Sequence, residues 1–195
     1  MKKGYDPGSL ARARPLAYTG TMSGQEEWFD VVDLEGRVVS KATRSECHGN
    51  PTLIHQAVHV LVFNHAGALF LQQRSPRKDI QPGKWDTSVG GHLALGEAPR
   101  EAAIREMTEE LGVVPGDLYP AYRYLWKSPV ETEWIVAFHT RHDGPFQLQA
   151  EELADGRFWS LEEIETQRNR DVFTPQFEQE FSRMKHLHHS LGFSS

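Results

Sequence analysis

Three carboxylates, Glu106, Glu109 and Glu110, stand three and four residues apart, the spacing that brings side chains together on one face of a helix. Ile104, Met107 and Leu111 fall on the opposite face at 100° per residue. One face packs and the other presents acids. Like charges so placed destabilise a bare helix by roughly 0.2–0.5 kcal/mol per pair, and a bound cation removes that cost. Hard divalent ions take carboxylate oxygens, and Mg²⁺ commonly borrows its remaining ligands from substrate phosphates. Arg105, four residues before Glu109, can brace a carboxylate through its planar fork.

A second constellation lies outside that helix. His48 and His55 are seven residues apart, His92 follows Gly91, and Glu131 and Glu133 alternate at the start of a strand. Alternation puts the two glutamates on one face of a sheet. Three imidazoles with two carboxylates suit a transition metal such as Mn²⁺, Zn²⁺ or Fe²⁺.

The elements that must position these groups are legible in outline. Residues 1–24 mix Gly, Pro, Ser and basic residues without hydrophobic periodicity, which reads as a flexible extension. Residues 25–195 are expected to form one domain, a length that buries about 70% of the unfolded surface. Two β-rich runs flank Glu35-Gly36 as a hairpin, and a polar loop carrying His48 follows. Residues 55–64 and 68–75 read as a second hairpin. Residues 75–86, with two prolines and a glycine, form a long loop of the kind that usually carries function. The acidic helix opens at Pro99 and stops at Gly112. Two further strands precede a strand-to-helix passage at Ser160. The final stretch is amphipathic, with Phe177, Phe181, Met184 and Leu187 at helical spacing, while His186, His188 and His189 are expected at its surface. The pattern gives an α/β class with a mixed sheet and helices on both faces.

The order Gly91, five residues, Glu97, seven residues, Arg105-Glu106, apolar Met107, one residue, Glu109-Glu110, one residue, Gly112 and apolar Val113 resembles the Nudix hydrolase signature at every fixed position. The resemblance implies an α/β/α sandwich with a central catalytic loop-helix. From about Arg44 to Trp159 the chain is also similar to isopentenyl-diphosphate isomerase, a Nudix superfamily member. That similarity implies His48, His55, His92, Glu131 and Glu133 as a metal set. It further implies Arg44, Arg74 and Lys78 as diphosphate-facing residues, and Tyr124 and Trp159 as pocket aromatics. The loop PGKWDTSVGGH, with Pro82 and Trp85, belongs to the same likeness. Two features depart from the isomerase: Gly90 stands where it has a catalytic cysteine, and the Arg-Glu and Glu-Glu pairs of the hydrolase are complete.

The expected function is metal-dependent hydrolysis of a diphosphate linked to another group, either a nucleoside or an isoprenoid-type moiety. Glu106, Glu109 and Glu110 would hold Mg²⁺ or Mn²⁺, while Arg44, Arg74 and Lys78 clamp phosphate oxygens and Arg105 braces the acids. Glu110 is the first choice of general base, with Glu109 or Glu133 as alternatives. Trp85, Tyr124 or Trp159 are available to stack on a base. Isomerase activity and a non-catalytic diphosphate-binding module are the other readings. A net charge of -6 and a pI near 5.9 argue against a nucleic-acid partner. No stretch has the length or apolarity of a membrane span, and the single Cys47, expected to be structural, fits a reducing cytoplasm. A monomer or homodimer is expected.

Overall fold

A computed structural model describes residues 26–78 and 80–193; the expected extension at 1–24 lies outside them. Strand β1 (Trp28–Val32) pairs antiparallel with β2 (Val38–Thr43) as a small two-stranded sheet. The polar segment after it is not wholly loop. Thr43 caps a one-turn helix α1 (Arg44–Cys47), exchanging hydrogen bonds with Glu46 in a capping box.

The main sheet is built on β3 (Ile54–Phe63), paired over its whole length with β8 (Thr132–Arg141) in parallel. Strand β7 (Tyr119–Lys127) extends this side antiparallel to β8. The other edge of β3 is shared. Strand β6 (Val89–His92) pairs with Ala57–Val60, whereas β4 (Leu69–Arg74) pairs only at Phe63↔Leu69. The expected second hairpin therefore closes at its base and then splays. Strand β4 leaves β3 and pairs instead with β5 (Trp85–Asp86) and β9 (Leu153–Trp159).

Helix α2 (Pro99–Leu111) begins with Pro at its first position and ends at Gly112, whose φ of 70° is open to glycine at little cost. Ser160 caps α3 (Leu161–Gln167), and Thr174 caps α4 (Pro175–Ser190). The alternation of β3 assigns the two helix layers. Val58, Val60 and Val62 pack with Ala102, Met107 and Leu111 of α2. Leu61 and Phe63 pack with Phe177, Phe181 and Met184 of α4. Each such side chain, fully buried, contributes roughly 1.5–3 kcal/mol. This is the α/β/α sandwich with a mixed sheet. Among the described residues no helix is long and apolar enough to cross a membrane. His188, expected at the surface, is buried and faces the carbonyl of Gly67 at 3.0 Å.

Candidate active site

A cavity of about 850 Å³ is lined by residues of both sheet arms and of α2 and the start of α4. Gly91 and Gly90 sit beside it on β6, and their neighbours alternate with the pleat. A methyl group built on Gly91 would overlap the carboxylate of Glu106, so the absence of a side chain there is what lets α2 press its acid against the strand.

Arg105 organises the α2 acids. Its guanidinium binds Glu97 in two-pronged fashion at 2.9 Å and 2.9 Å, and reaches Glu106 at 2.7 Å and Glu109 at 3.3 Å. It also donates to the carbonyl of His92 at 3.0 Å. Its hydrogen bonds to Glu97 foremost keep Arg105 firmly charged. Burial, then the charge of Glu106, pushes Glu110 up to about 8, although Gly90 N–H donates to it at 3.3 Å. Glu106 is raised to about 7, again chiefly by burial. Gln72 Nε2 donates to the same Glu110 oxygen at 3.4 Å. Carboxylates crowded and lifted in this way are suited to a cation, which would restore their ionised form.

Basic residues line the same cavity. Arg74 lies 3.5 Å from Asp86, Lys78 pairs with Glu152, and Arg44 reaches Glu27 at 3.0 Å and His92 Nδ1 at 3.2 Å. Burial, and then the charge of Arg74, lowers Lys78 from its ordinary value.

The histidine constellation is brought together. The rings of His48, His55 and His92 lie 5.1–5.6 Å apart, with Phe29 stacked on His55 and His92 at 5.2 and 4.7 Å. Glu133 lies 3.4 Å from His55 and 3.0 Å from His92, and Glu131 is 3.5 Å from His48. Ligand atoms of His48, His55 and His92, and of His55, Glu131 and Glu133, are close enough to share one ion. The buried Nε2 of His48 and both ring nitrogens of His55 lack a hydrogen-bond partner among the described residues. Burial holds His48 down to about 4, leaving it neutral and available as a ligand. Burial works to raise Glu133, but the close approach of His55 and the hydrogen bond with His92 outweigh it and hold it well below its ordinary value. The donor set fits a transition metal.

The expected aromatics stand elsewhere. Trp85 and Trp159 pack edge to face at 5.1 Å, Trp159 meets Phe173 in the α4 core, and Arg157 covers it at 3.6 Å. Tyr124 is buried with Ala57 and Ile135 under Arg183. None of the three lines the cavity, because Trp85 and Trp159 turn into the α4 core and Tyr124 into the cluster of Ala57 and Ile135; Trp126 lines it instead. Cys47 is buried with Phe29 and Val31 away from the cavity lining, its thiol pushed up by burial.

Residues in or behind the lining to which the sequence motifs give no role also matter. Glu180 sits on the apolar stripe of α4 between Phe177 and Phe181 yet is fully buried, hydrogen-bonded to His59 Nδ1 at 2.7 Å and Tyr122 Oη at 3.0 Å. A carboxylate inside a helix's hydrophobic face is the sequence signal that could have found this pair. His59 lines the cavity, as do Asp86 and Gln176; the latter donates to Glu133 at 2.9 Å.

Comparison with known proteins matches residues 53–178 to the NUDIX domain model. An uncharacterized Nudix hydrolase of Pseudomonas aeruginosa is 35% identical over 127 residues, covering 65% of this chain and 75% of that protein. Isopentenyl-diphosphate Delta-isomerase of Streptomyces avermitilis is 35% identical over 155 residues, covering 76% and 79%. In fold, the chain is similar to the crystal structure of DR0079 from Deinococcus radiodurans, with a TM-score of 0.72 at 23% identity over 80% of this chain and 98% of that one.

Proposed function

Since this chain belongs to the Nudix hydrolase family, we propose that it cleaves a diphosphate linked to another moiety, with Mg²⁺ or Mn²⁺ at the α2 acids. The observation that carries this reading is one cavity faced by Glu106, Glu109 and Glu110 from α2 and by Arg44, Arg74 and Lys78 from other elements. Acids on one wall suit a cation, and bases on another suit the phosphates it bridges. The family match at 53–178, with the β1–β2 hairpin and α4 packed around it, supports taking residues 25–195 as one catalytic unit. A reducing cytoplasmic setting agrees with Cys47 as a buried free thiol.

Glu106, Glu109 and Glu110 would hold the ion, which when bound offsets phosphate charge and acidifies a coordinated water. Glu110 is the general base of this scheme: two donors fix one of its oxygens, leaving the other to take the proton of the attacking water. Arg105 keeps Glu106 and Glu109 in register through Glu97. Arg74, Lys78 and Arg44 orient the diphosphate, whose non-bridging oxygens match guanidinium and ammonium donors. His48, His55, His92, Glu131 and Glu133 would hold a second ion beside Arg44, all but His55 lining the same cavity.

Isomerisation by a thiol is disfavoured, because Gly90 brings no proton carrier to the position it holds. The substrate's second moiety, nucleoside or isoprenoid, would lie against Trp126, Pro129 and Val130, an apolar stretch of the wall. The test is a panel of nucleoside and prenyl diphosphates with Mg²⁺ or Mn²⁺, scored for release of phosphate or monophosphate. Metal-dependent release from one class is the expected result. Allylic rearrangement without phosphate release, or no turnover of any diphosphate, would sink the reading.

A further inference from the structure

Resting on the hydrolase reading, we propose that His59 is a substrate-binding residue whose Nε2–H donates to an oxygen of the diphosphate, with Glu180 and Tyr122 as its positioning residues.

The inference begins with Glu180. This carboxylate is fully buried, and its hydrogen bonds among the described residues come from His59 Nδ1 at 2.7 Å and Tyr122 Oη at 3.0 Å. A buried carboxylate without a compensating cation is strongly disfavoured. His59 is the cation in contact with it. Burial presses His59 toward neutrality, but the charge and hydrogen bond of Glu180 outweigh this and lift it to about 9.

An imidazolium has two N–H donors. Glu180 takes the proton on Nδ1. Among the described residues no hydrogen bond reaches Nε2, and that atom is not one of the sealed polar atoms. His59 lines the cavity. It pairs in register with Gly90, and a methyl group built there would lie 3.4 Å from His59 Cδ2 and 3.6 Å from Nε2. Glycine at 90 thus leaves the ring's free edge uncovered, toward the cavity that Glu110, Arg74 and Asp86 share. Asp86 is already engaged by Thr87 N–H and Thr174 Oγ1 at 2.9 Å each. A charged donor with no protein acceptor among the described residues, facing this cavity, suits an anionic oxygen of the ligand.

The test uses the full chain with Mg²⁺ and methylenediphosphonate, a diphosphate mimic that is not hydrolysed. Long-range ¹H–¹⁵N NMR of the wild type should show a doubly protonated His59 ring whose Nε2 signal moves when the mimic is added. Isothermal titration should show the dissociation constant rising about tenfold or more for His59→Gln and Glu180→Gln, the loss expected for a charge-assisted hydrogen bond. Because either single change strands a buried partner, the double variant His59→Gln/Glu180→Gln, a neutral pair, is measured with them, and thermal melting checks folding of all three. An Nε2 signal unmoved by the mimic, or a folded double variant binding within twofold of wild type, overturns the proposal. Ligand-dependent movement of His59 in a chain that turns over no diphosphate would instead remove the hydrolase reading and leave this contact standing. Turnover at unchanged KM in the folded double variant would do the reverse.

Discussion

Gly91 and Glu106 occupy the same space in turn: any side chain on the strand at 91 would stand where the helix places its carboxylate. The neighbouring Gly90 is not so constrained, since a methyl group there meets His59 and Thr87 only at 3.4–3.6 Å. Gly91→Ala should therefore displace Glu106 and lower kcat by about 10²-fold, the cost of misplacing a reacting group by an ångström. Gly90→Ala should fold with a melting temperature close to wild type. Melting curves and steady-state kinetics on the two variants check the contrast; equal kcat in wild type and Gly91→Ala would refute it.

Glu106→Gln and Glu110→Gln should reduce turnover by orders of magnitude while leaving the metal-free protein no less stable, because each removes a carboxylate raised by burial. Ion binding stabilises by mass action. Mg²⁺ or Mn²⁺ should raise the melting temperature of the wild type and do so much less in either variant, as read by calorimetry with and without EDTA.

Arg105→Lys keeps the charge and loses the fork that joins Glu97, Glu106 and Glu109. Turnover should fall roughly 10- to 100-fold with a weaker Mg²⁺ dependence. A metal titration of activity measures both, and an unchanged half-saturating Mg²⁺ concentration would argue against the bracing role.

The His59–Glu180 pair makes stability depend on pH. The folded value of His59, about 9, lies above its ordinary value of 6.5. Its stabilisation is thus fully present below about pH 6.5 and is lost as pH rises through 9. Chemical denaturation between pH 6 and 10 should show this decline, and Glu180→Ala should be destabilised by about 3–5 kcal/mol near neutrality, the cost of breaking a buried pair. A flat profile across that window would contradict it.

Crystals grown with excess Mn²⁺ should show anomalous density among His48, His55, His92, Glu131 and Glu133. Substituting His55, whose two ring nitrogens are buried without partners, should abolish that peak and spare density at the α2 acids.

The α2 layer was readable because its chemistry and its architecture share one periodic segment: Pro99 and Gly112 mark the ends, and the acids and the apolar residues both recur at helical spacing, although Glu110 is buried beside Met107 and Leu111. Spacing signalled the histidine cluster only weakly and resemblance sharpened it, since register between β3, β6 and β8 brings His55, His92 and Glu133 together. The misplaced aromatics have the same origin. Trp85 and Trp159 lie on strands whose inward face depends on β4 leaving β3, a divergence set by tertiary pairing with β9. Glu180 escaped notice because its neighbours Phe177 and Phe181 satisfy a helical core pattern without it.

The splaying of β4 from β3 after Phe63↔Leu69 has a consequence for how such an enzyme can diversify. The arm made of β3, β6 and α2 carries Glu106, Glu109, Glu110 and both glycines. The arm made of β4, β5 and β9 carries Arg74 and leads into the loop with Lys78. Gln72 and Glu110 link the two by a 3.4 Å hydrogen bond, Ser88 bridges Val62 of β3 and Phe70 of β4, and Phe70 and Leu153 pack with Met107 and Leu111 of α2. On the proposed hydrolase reading, the metal-binding acids and Arg74 thus stand with different strand sets of one sheet. On that reading, substitutions at Arg74 or in the loop of Lys78 would alter which diphosphates are held while leaving the α2 acids in place, so substrate range could drift while the chemistry stayed fixed.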